Sequence, residues 1–142
     1  MKILVDTNIV LDIFLNRPDF VEDSQAALEK ALTNGDRLFF STSSVTDVYY
    51  IVRKNTGDRK KALEAIQELC ALFTFAEVNS DCIYSATLSN INDFEDAVID
   101  SVGISIKADY LMTRNVNDFK NAKNQIITPD DYIYIKKCAA KR

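Results

Sequence analysis

The chain has 142 residues, of which 47% are hydrophobic and 27% are charged, and its net charge is −4. This length predicts one globular domain with a full core, and the acidic balance argues against a protein that coats nucleic acid through a basic face. The chain contains no histidine, which excludes Ser–His–Asp and Cys–His nucleophiles as well as His-ligated zinc. An enzyme with this sequence must use carboxylates, other polar groups or a bound metal.

The cysteine pattern indicates an intracellular protein. Cys70, Cys82 and Cys138 are odd in number and form no C-x-x-C pair, so we expect reduced thiols and a cytoplasmic location. No charged-then-apolar leader opens the sequence and no run approaches about 18 apolar residues, so we expect neither a signal peptide nor a membrane span.

Short apolar runs alternate with segments of helical periodicity along the chain. Strands are predicted at Lys2–Val5, Leu38–Ser41, Phe73–Val78, Tyr110–Thr113 and Gln125–Ile127. Helices are predicted to begin near Asn8, Asp19, Ser44, Asp58, Ser80, Phe94 and Pro129. The alternation predicts βαβ units and a parallel sheet. Ligands bind beyond the carboxyl ends of such strands, so functional residues are expected just after strands one, two and four.

Asp6 and Asp47 are the acids that follow the first two predicted strands. Asp6 comes directly after the first apolar run, where it is either a fixed carboxylate at the sheet edge or an ordinary helix-capping residue. Asp47 lies in the first turn of the third predicted helix, off its apolar stripe. The alternative for Asp47 is a capping box with Ser44 and a favourable interaction with the helix dipole.

Three further acids, Asp93, Asp96 and Asp100, are spaced three and four residues apart and therefore share one face at the start of a helix. They form either a solvated face or a group that faces a cation, and Asp96 is the best placed. Asp118 follows the fourth strand, and Asn115 lies closer to its end; the alternative for both is a polar loop.

Taken together, these carboxylates predict a metal site. The acids follow separate strands that a parallel sheet would bring together, and two carboxylates 4 Å apart repel by about 4 kcal/mol at an effective dielectric of 20. Such a cluster raises pKa values or binds a cation. Oxygen ligands without Cys or His suit Mg²⁺ or Mn²⁺, and two such ions could support in-line phosphoryl displacement.

Several segments, in chain order, resemble the motifs of the PIN domain family, in particular its VapC-like toxin ribonucleases. These segments are Ile3–Asn8, Ser43–Tyr50, Asp93–Ala97, Ala108–Asn115 with Asp118-Phe119, and Thr128–Tyr132. The resemblance implies a three-layer α/β/α sandwich with a central parallel sheet of about five strands. It covers one domain over residues 1–142, in which we expect the basic tail 136–142 to fray.

The resemblance also implies functions for individual residues. Metal-ligand and catalytic roles carry over to Asp6, Asp47 and Asp96, and the fourth such position is filled by Asp118 or, less directly, by Asn115. Supporting roles are expected for Asn8, Thr113, Asn115, Asp93 and Asp100. Arg114 and Lys107 are candidates for contacts with RNA phosphates. The family implies metal-dependent cleavage of RNA, a small antitoxin protein that covers the site of many bacterial members, and frequent homodimers.

Two departures from the family pattern leave alternatives open. Position 47 is Asp where the family usually has Glu, and Asn115 stands where many members have Asp. A catalytically inactive PIN-fold module for interaction or regulation is therefore the alternative to a nuclease. A haloacid-dehalogenase-like phosphatase is a further alternative, but it needs a second Asp two residues after the first, and that position is Asn8.

Overall fold

A computed structural model describes residues 1–140, with side chains described for residues 1–135. The expected fraying of the tail 136–142 falls outside the residues whose side chains are described. The strands are β1 Lys2–Val5, β2 Arg37–Ser41, β3 Thr74–Ala76, β4 Tyr110–Met112 and β5 Ile126–Ile127. The α-helices are α1 Thr7–Phe14, α2 Val21–Thr33, α3 Val45–Thr56, α4 Arg59–Leu72, α5 Ser80–Thr87, α6 Phe94–Ser105 and α7 Pro129–Ala140. Short 3-10 helices span Thr42–Ser44 and Val116–Phe119.

The five strands form one parallel sheet in the order β3-β2-β1-β4-β5. Strand β1 is central, and the chain runs outwards from it in both directions. The predicted parallel sheet is confirmed. The strand order reverses between β1 and β4, so the carboxyl ends of these two strands flank a topological switch point, the place where such sheets bind ligands.

Alternate residues of the strands face two separate cores. Ile3, Val5 and Phe40 pack with side chains of α1, α2, α3, α4 and α7 on one face. Leu4 and Leu111 pack with side chains of α5 and α6 on the other. Strands buried on both faces are apolar throughout, and the predicted three-layer α/β/α sandwich is confirmed.

Helix beginnings differ from the sequence expectation in two places. No side-chain cap begins α2, because the carbonyl of Arg17 accepts from the backbone of Phe20 and Val21 instead. Helix α2 therefore begins at Val21, two residues after the predicted start near Asp19. The capping box with Ser44, which was the alternative interpretation of Asp47, does not form, because Ser44 makes no side-chain cap. The 3-10 turn that precedes α3 supplies its first backbone contacts.

Within the described residues, no helix combines the length and the apolar character that a bilayer crossing requires.

Strands β3 and β5 are shorter than predicted. Phe73 caps the end of α4 instead of opening β3, and β5 keeps two residues at the sheet edge.

A buried carboxylate, Asp12, joins three separate parts of the chain. Its side chain is fully buried in α1 and accepts hydrogen bonds from Arg114 Nε at 2.9 Å and Nη2 at 3.1 Å. It also accepts from Ser24 and from Arg17, each at 3.3 Å. The guanidinium of Arg114 stacks 4.0 Å from the ring centre of Phe20. These contacts tie α1 and α2 to the segment after β4.

Replacing Asp12 with alanine should therefore destabilise the protein. The change leaves Arg114 without its buried partner, and breaking a buried ion pair in this way costs about 3 kcal/mol. Urea unfolding measures the loss. The matched control is Asp19→Ala, an exposed acid near the same loop, which should change the free energy of unfolding by less than about 0.5 kcal/mol. Equal effects of the two substitutions would contradict a structural role for Asp12.

Candidate metal-binding active site

The centre of the site is Asp6, at the switch point of the sheet. Its backbone N–H donates to the carbonyl of Met112 at 2.9 Å, which extends the β1–β4 ladder by one residue. Its side chain is 6% exposed. One carboxylate oxygen accepts from the backbone of Thr7, and the other accepts from Thr113 Oγ1, both at 2.8 Å. Burial raises the pKa of Asp6, these two hydrogen bonds lower it, and the charge of Asp118 raises it further.

Thr113 orders the groups around Asp6. Its buried hydroxyl donates to Asp6, so it can only accept from Asn8 Nδ2, at 3.4 Å, and from the backbone N–H of Asn115, at 3.1 Å. This orientation turns Asn8 Oδ1 the other way. That oxygen is buried and has no hydrogen-bond partner among the described residues. Burial of an unpaired amide oxygen is unfavourable, so this oxygen is a candidate ligand for a bound cation.

A central cleft of about 380 Å³ opens beside these groups. Its polar lining comes from β1, α1, α3 and α6 and from the segment after β4: Asp6, Asn8, Asp47, Glu95, Asp96 and Asn115. Asp47 and Glu95 lie on opposite sides, on α3 and α6, and their carboxyl groups are within hydrogen-bonding reach. This hydrogen bond, burial and the negative charges of Asp47 and Asp93 raise the pKa of Glu95 to about 7.

Asp96 lies between the central cleft and a second, smaller one. This side cavity has a volume of about 220 Å³, and its charged lining is Asp93, Asp96, Asp118 and Lys120. Asp93 caps α6 by accepting from the backbone of Asp96 at 3.1 Å. Burial, followed by the charges of Asp6, Asp93 and Asp118, raises the pKa of Asp96 to about 7. The structure therefore brings Asp6, Asp96 and Asp118 close enough to interact electrostatically.

Of the residues predicted from the sequence, Asp100, Arg114 and Lys107 line neither the central cleft nor the side cavity, although the charge of Arg114 lowers the pKa of Asp6. Asp100 is buried and accepts from the backbone of Lys123 and Asn124 at 2.9 and 3.1 Å. Arg114 is engaged by Asp12. Lys107 follows the far end of α6, and the 11 residues from Asp96 to Lys107 span roughly 16 Å at 1.5 Å per residue.

Two residues were not identified from the sequence, Glu95 in the cleft and the buried Asp12. The spacing of Asp93, Asp96 and Asp100 marks one helix face, and Glu95 lies about 100° away from Asp96 around the helix. A signal for Asp12 was available: it is the one charged residue of α1 and is surrounded in sequence by apolar residues, and it lies four residues after Asn8 and so on the same face.

The donor set suits a hard divalent cation. It consists of carboxylates and the orphaned amide oxygen of Asn8, and such oxygen ligands select Mg²⁺, Mn²⁺ or Ca²⁺. Within the described residues, no group of three or more acidic, Cys or His side chains is arranged to enclose an ion by itself. Mg²⁺ typically keeps several waters and binds to one or two carboxylates, so the site fits an ion of this kind.

The sequence matches the PIN domain family over residues 2–117. Ribonuclease VapC1 of Aquifex aeolicus (strain VF5) is 29% identical over 136 residues, and the match covers 92% of each chain.

Solved structures share the fold. A chain of VapBC2 from Rickettsia felis, bound to a DNA fragment from its promoter, superimposes with a TM-score of 0.73 at 18% identity, over 90% of this chain and 98% of that one. DNA-bound VapBC from Salmonella typhimurium gives 0.71 at 14% identity, over 91% and 98%. Mycobacterium tuberculosis VapC20, a sarcin-ricin loop cleaving toxin, gives 0.61 at 14% identity, over 77% and 86%. At these identities the likeness shows the three-layer fold.

The raised pKa of Asp96 predicts a pH dependence of stability in the metal-free protein. Because its pKa is about 7 in the folded state against 3.8 ordinarily, the folded state binds this proton more tightly. The free energy of unfolding of the wild type should therefore fall as the pH rises from about 4 to about 7, because the unfolded state ionises this carboxyl group first. Asp96→Asn cannot ionise, so its free energy of unfolding should increase relative to the wild type across that window.

Urea unfolding in EDTA, from pH 4.5 to pH 8, measures this difference. The control is Asp81→Asn, an exposed acid in the first turn of α5 that lines neither the central cleft nor the side cavity. The difference in free energy of unfolding between Asp81→Asn and the wild type should not change with pH. An equally flat difference for Asp96→Asn would mean that Asp96 titrates as an ordinary surface carboxyl.

Proposed function

Because this chain belongs to the PIN domain family, we propose that it is a metal-dependent endoribonuclease, the toxin of a bacterial toxin–antitoxin pair. The reaction is hydrolysis of RNA phosphodiester bonds. The observation that carries the proposal is the convergence of carboxylates from separate segments, Asp6, Asp96 and Asp118, beside the buried unpaired oxygen of Asn8. The similarity to Ribonuclease VapC1 supports the same activity.

The proposed cofactor is Mg²⁺ or Mn²⁺, held by Asp6 and Asp96 with Asp47 and Asp118 at the edges of the site. When bound, such an ion would activate water and stabilise the leaving oxygen. Its charge would also offset the burial and the repulsion that raise the pKa values of Asp6 and Asp96.

Other residues prepare this site. The hydroxyl of Thr113 fixes the orientation of the Asp6 carboxylate and accepts from Asn8 Nδ2. Asn8 Oδ1 is thereby left as an unpaired oxygen that could bind the ion. Asp47 is one methylene shorter than the Glu usual in the family, and Glu95 reaches across the cleft from α6 to meet it. A carboxyl group from α6 therefore makes up for the shorter side chain on α3.

The proposed partners are an RNA substrate, a small antitoxin protein and a second copy of this chain, and the proposed location is the cytoplasm. The VapBC structures from Rickettsia felis and Salmonella typhimurium, which have the same fold, support an antitoxin partner. Exposed apolar side chains, among them Tyr50, Tyr84, Leu88 and Phe94, offer surface for protein contacts. Cys70 and Cys82 are free thiols, which suits a reducing compartment.

Metal binding at these carboxylates is testable without an activity assay. An ion that binds only the folded state stabilises it by about 2.7 kcal/mol at 100 times its Kd. We expect Mn²⁺ to raise the thermal stability of the wild type and to have little effect on an Asp6→Asn/Asp96→Asn variant. The same variant should lose cleavage of single-stranded RNA.

Asp81→Asn is the control for this experiment and should keep both the Mn²⁺ effect and the cleavage. If millimolar Mn²⁺ does not stabilise the wild type and the wild type does not cleave RNA, the nuclease proposal is wrong. The inactive PIN-fold module would then be favoured. Metal-dependent hydrolysis of small phosphate monoesters, without cleavage of RNA, would point to the phosphatase instead.

The toxin proposal predicts growth arrest. Induced expression of the wild type alone in a bacterial host should stop growth and degrade a subset of cellular RNA, since the nuclease would lack its inhibitor. The double variant should express to the same level without arrest. If the wild-type protein is abundant, folded and able to cleave RNA but growth continues, the protein is a nuclease but not a toxin.

A further inference from the structure

The side cavity next to Asp96 has a lining that the proposed hydrolysis does not require. Apart from its acids, the cavity is lined by Ile91, Asn92, Asn117, Lys120 and Asn121. It shares Asp96 with the central cleft, so a molecule in the side cavity would be a direct neighbour of one bound at the metal site.

Three asparagines with exposed side chains line this cavity from two segments of the chain, the turn before α6 and the segment after β4. Asn121 Nδ2 donates to the carbonyl of Asn90 at 3.2 Å, which orients the amide and leaves Oδ1 as an acceptor. The side chains of Asn92 and Asn117 are exposed, so their amides are accessible to a ligand. Amides of this kind pair with the edges of nucleobases, because each presents a donor beside an acceptor.

The size and walls of the side cavity suit one base. Its volume of about 220 Å³ lies below the roughly 300–1,000 Å³ of pockets that hold drug-sized ligands. Ile91, which is buried, supplies an apolar wall against which a flat ring can lie. Single-stranded RNA is recognised through splayed bases that combine such ring contacts with hydrogen bonds.

The wall that carries Asn117 and Asn121 is held rigidly. Asp100 accepts from the backbone N–H groups of Lys123 and Asn124. Asn124 Nδ2 also donates to the side chain and to the backbone carbonyl of Asp100, both at 2.6 Å. Phe119, between the two asparagines, is buried in the core of α5 and α6. Contacts that are fixed before binding cost less entropy when a ligand binds.

Among the residues whose side chains the structure describes, Lys120 is the only cation that lines the central cleft or the side cavity. It is exposed to solvent. A phosphate of the RNA backbone is the anion that would approach this position if a base entered the cavity beside it.

We propose that the side cavity is a nucleotide subsite, in which Asn92, Asn117 and Asn121 read one base next to the cleaved bond and Lys120 contacts its phosphate. The proposal rests on the proposed ribonuclease function and adds to it a source of sequence preference. Base contacts specify a sequence, whereas phosphate contacts only position the strand, so substitutions of the two kinds should differ in their effects.

The experiment is cleavage of a randomised single-stranded RNA library, with the cut sites read by sequencing. The wild type should prefer one base at a single position beside the cut by roughly 5- to 100-fold, the range expected for a bidentate base contact. Asn117→Ala and Asn121→Ala should reduce that preference several-fold. The control is Asn55→Ala, an exposed asparagine near the end of α3 that bonds only to its own helix, and it should leave the preference unchanged.

Lys120→Ala should slow cleavage of all sequences alike and keep the base preference. It should also lower the slope of log affinity against log salt by about 0.7, the value for one phosphate contact on a single strand. Cleavage without a base preference, or a preference that survives both asparagine substitutions, overturns the subsite.

Binding separates failure of the subsite from failure of the nuclease. Short single-stranded oligonucleotides that differ at one base are titrated into Asp6→Asn, with and without Asn117→Ala. Base-selective binding that Asn117→Ala abolishes would support the subsite even if the wild type cleaves no RNA. Binding without selectivity would overturn the subsite even if the wild type is an active ribonuclease.

Discussion

The structure of the site depends on a carboxylate that is held almost out of water at the end of the central strand. Burial of Asp6 is unfavourable for its charge, and the hydroxyl of Thr113 and the N–H of Thr7 offset part of that cost. Thr113 is 107 residues away in sequence and reaches Asp6 only because β1 and β4 pair in parallel, with Val5 opposite Met112. The pairing of the two strands and the orientation of the carboxylate are therefore one constraint. The same hydroxyl also accepts from Asn8, so the side chain of Thr113 orients both Asp6 and Asn8 at the switch point.

The fold keeps acids together against their mutual repulsion. The pKa of Glu95 is raised to about 7, chiefly by its hydrogen bond with Asp47, and that of Asp96 is raised to about 7, chiefly by burial. Neighbouring negative charges oppose the ionisation of both groups. A protein selected for stability alone would place a neutral side chain at position 96, where solvent screening is incomplete. The cluster of acids therefore costs stability, as is common at functional sites. In the proposed metal site a divalent cation would reverse the sign of this interaction, and the arrangement that is unfavourable without metal would then bind the ion.

The sequence was sufficient to predict the local elements and the acids that follow central strands. Apolar runs and periodicity report on each segment by itself, so β1, β2 and the placement of Asp6 and Asp96 were accessible. Contacts between distant segments were not. Arg114 lies in a family motif and carries a positive charge, but its charge is engaged by Asp12, 102 residues earlier. Spacing along α6 also groups Asp100 with Asp96, although the helix turns Asp100 into the core, where it holds the segment after β4. Helical periodicity gives the faces of a helix without saying which neighbour each face meets.

The distribution of positive charge constrains how this protein can bind RNA. The chain has a net charge of −4, Arg114 is engaged by Asp12, and Arg53 and Lys54 lie in the last turn of α3, at the opposite end from Asp47. A basic face that neutralises many phosphates would give tight, salt-sensitive and sequence-independent binding. With few cations lining the cleft, that contribution is small, so the proposed RNA binding would draw on an ion at the carboxylates and on contacts with bases. The proposed nucleotide subsite next to Asp96 would supply the base contacts, and we therefore expect weak overall affinity for RNA combined with selectivity for sequence.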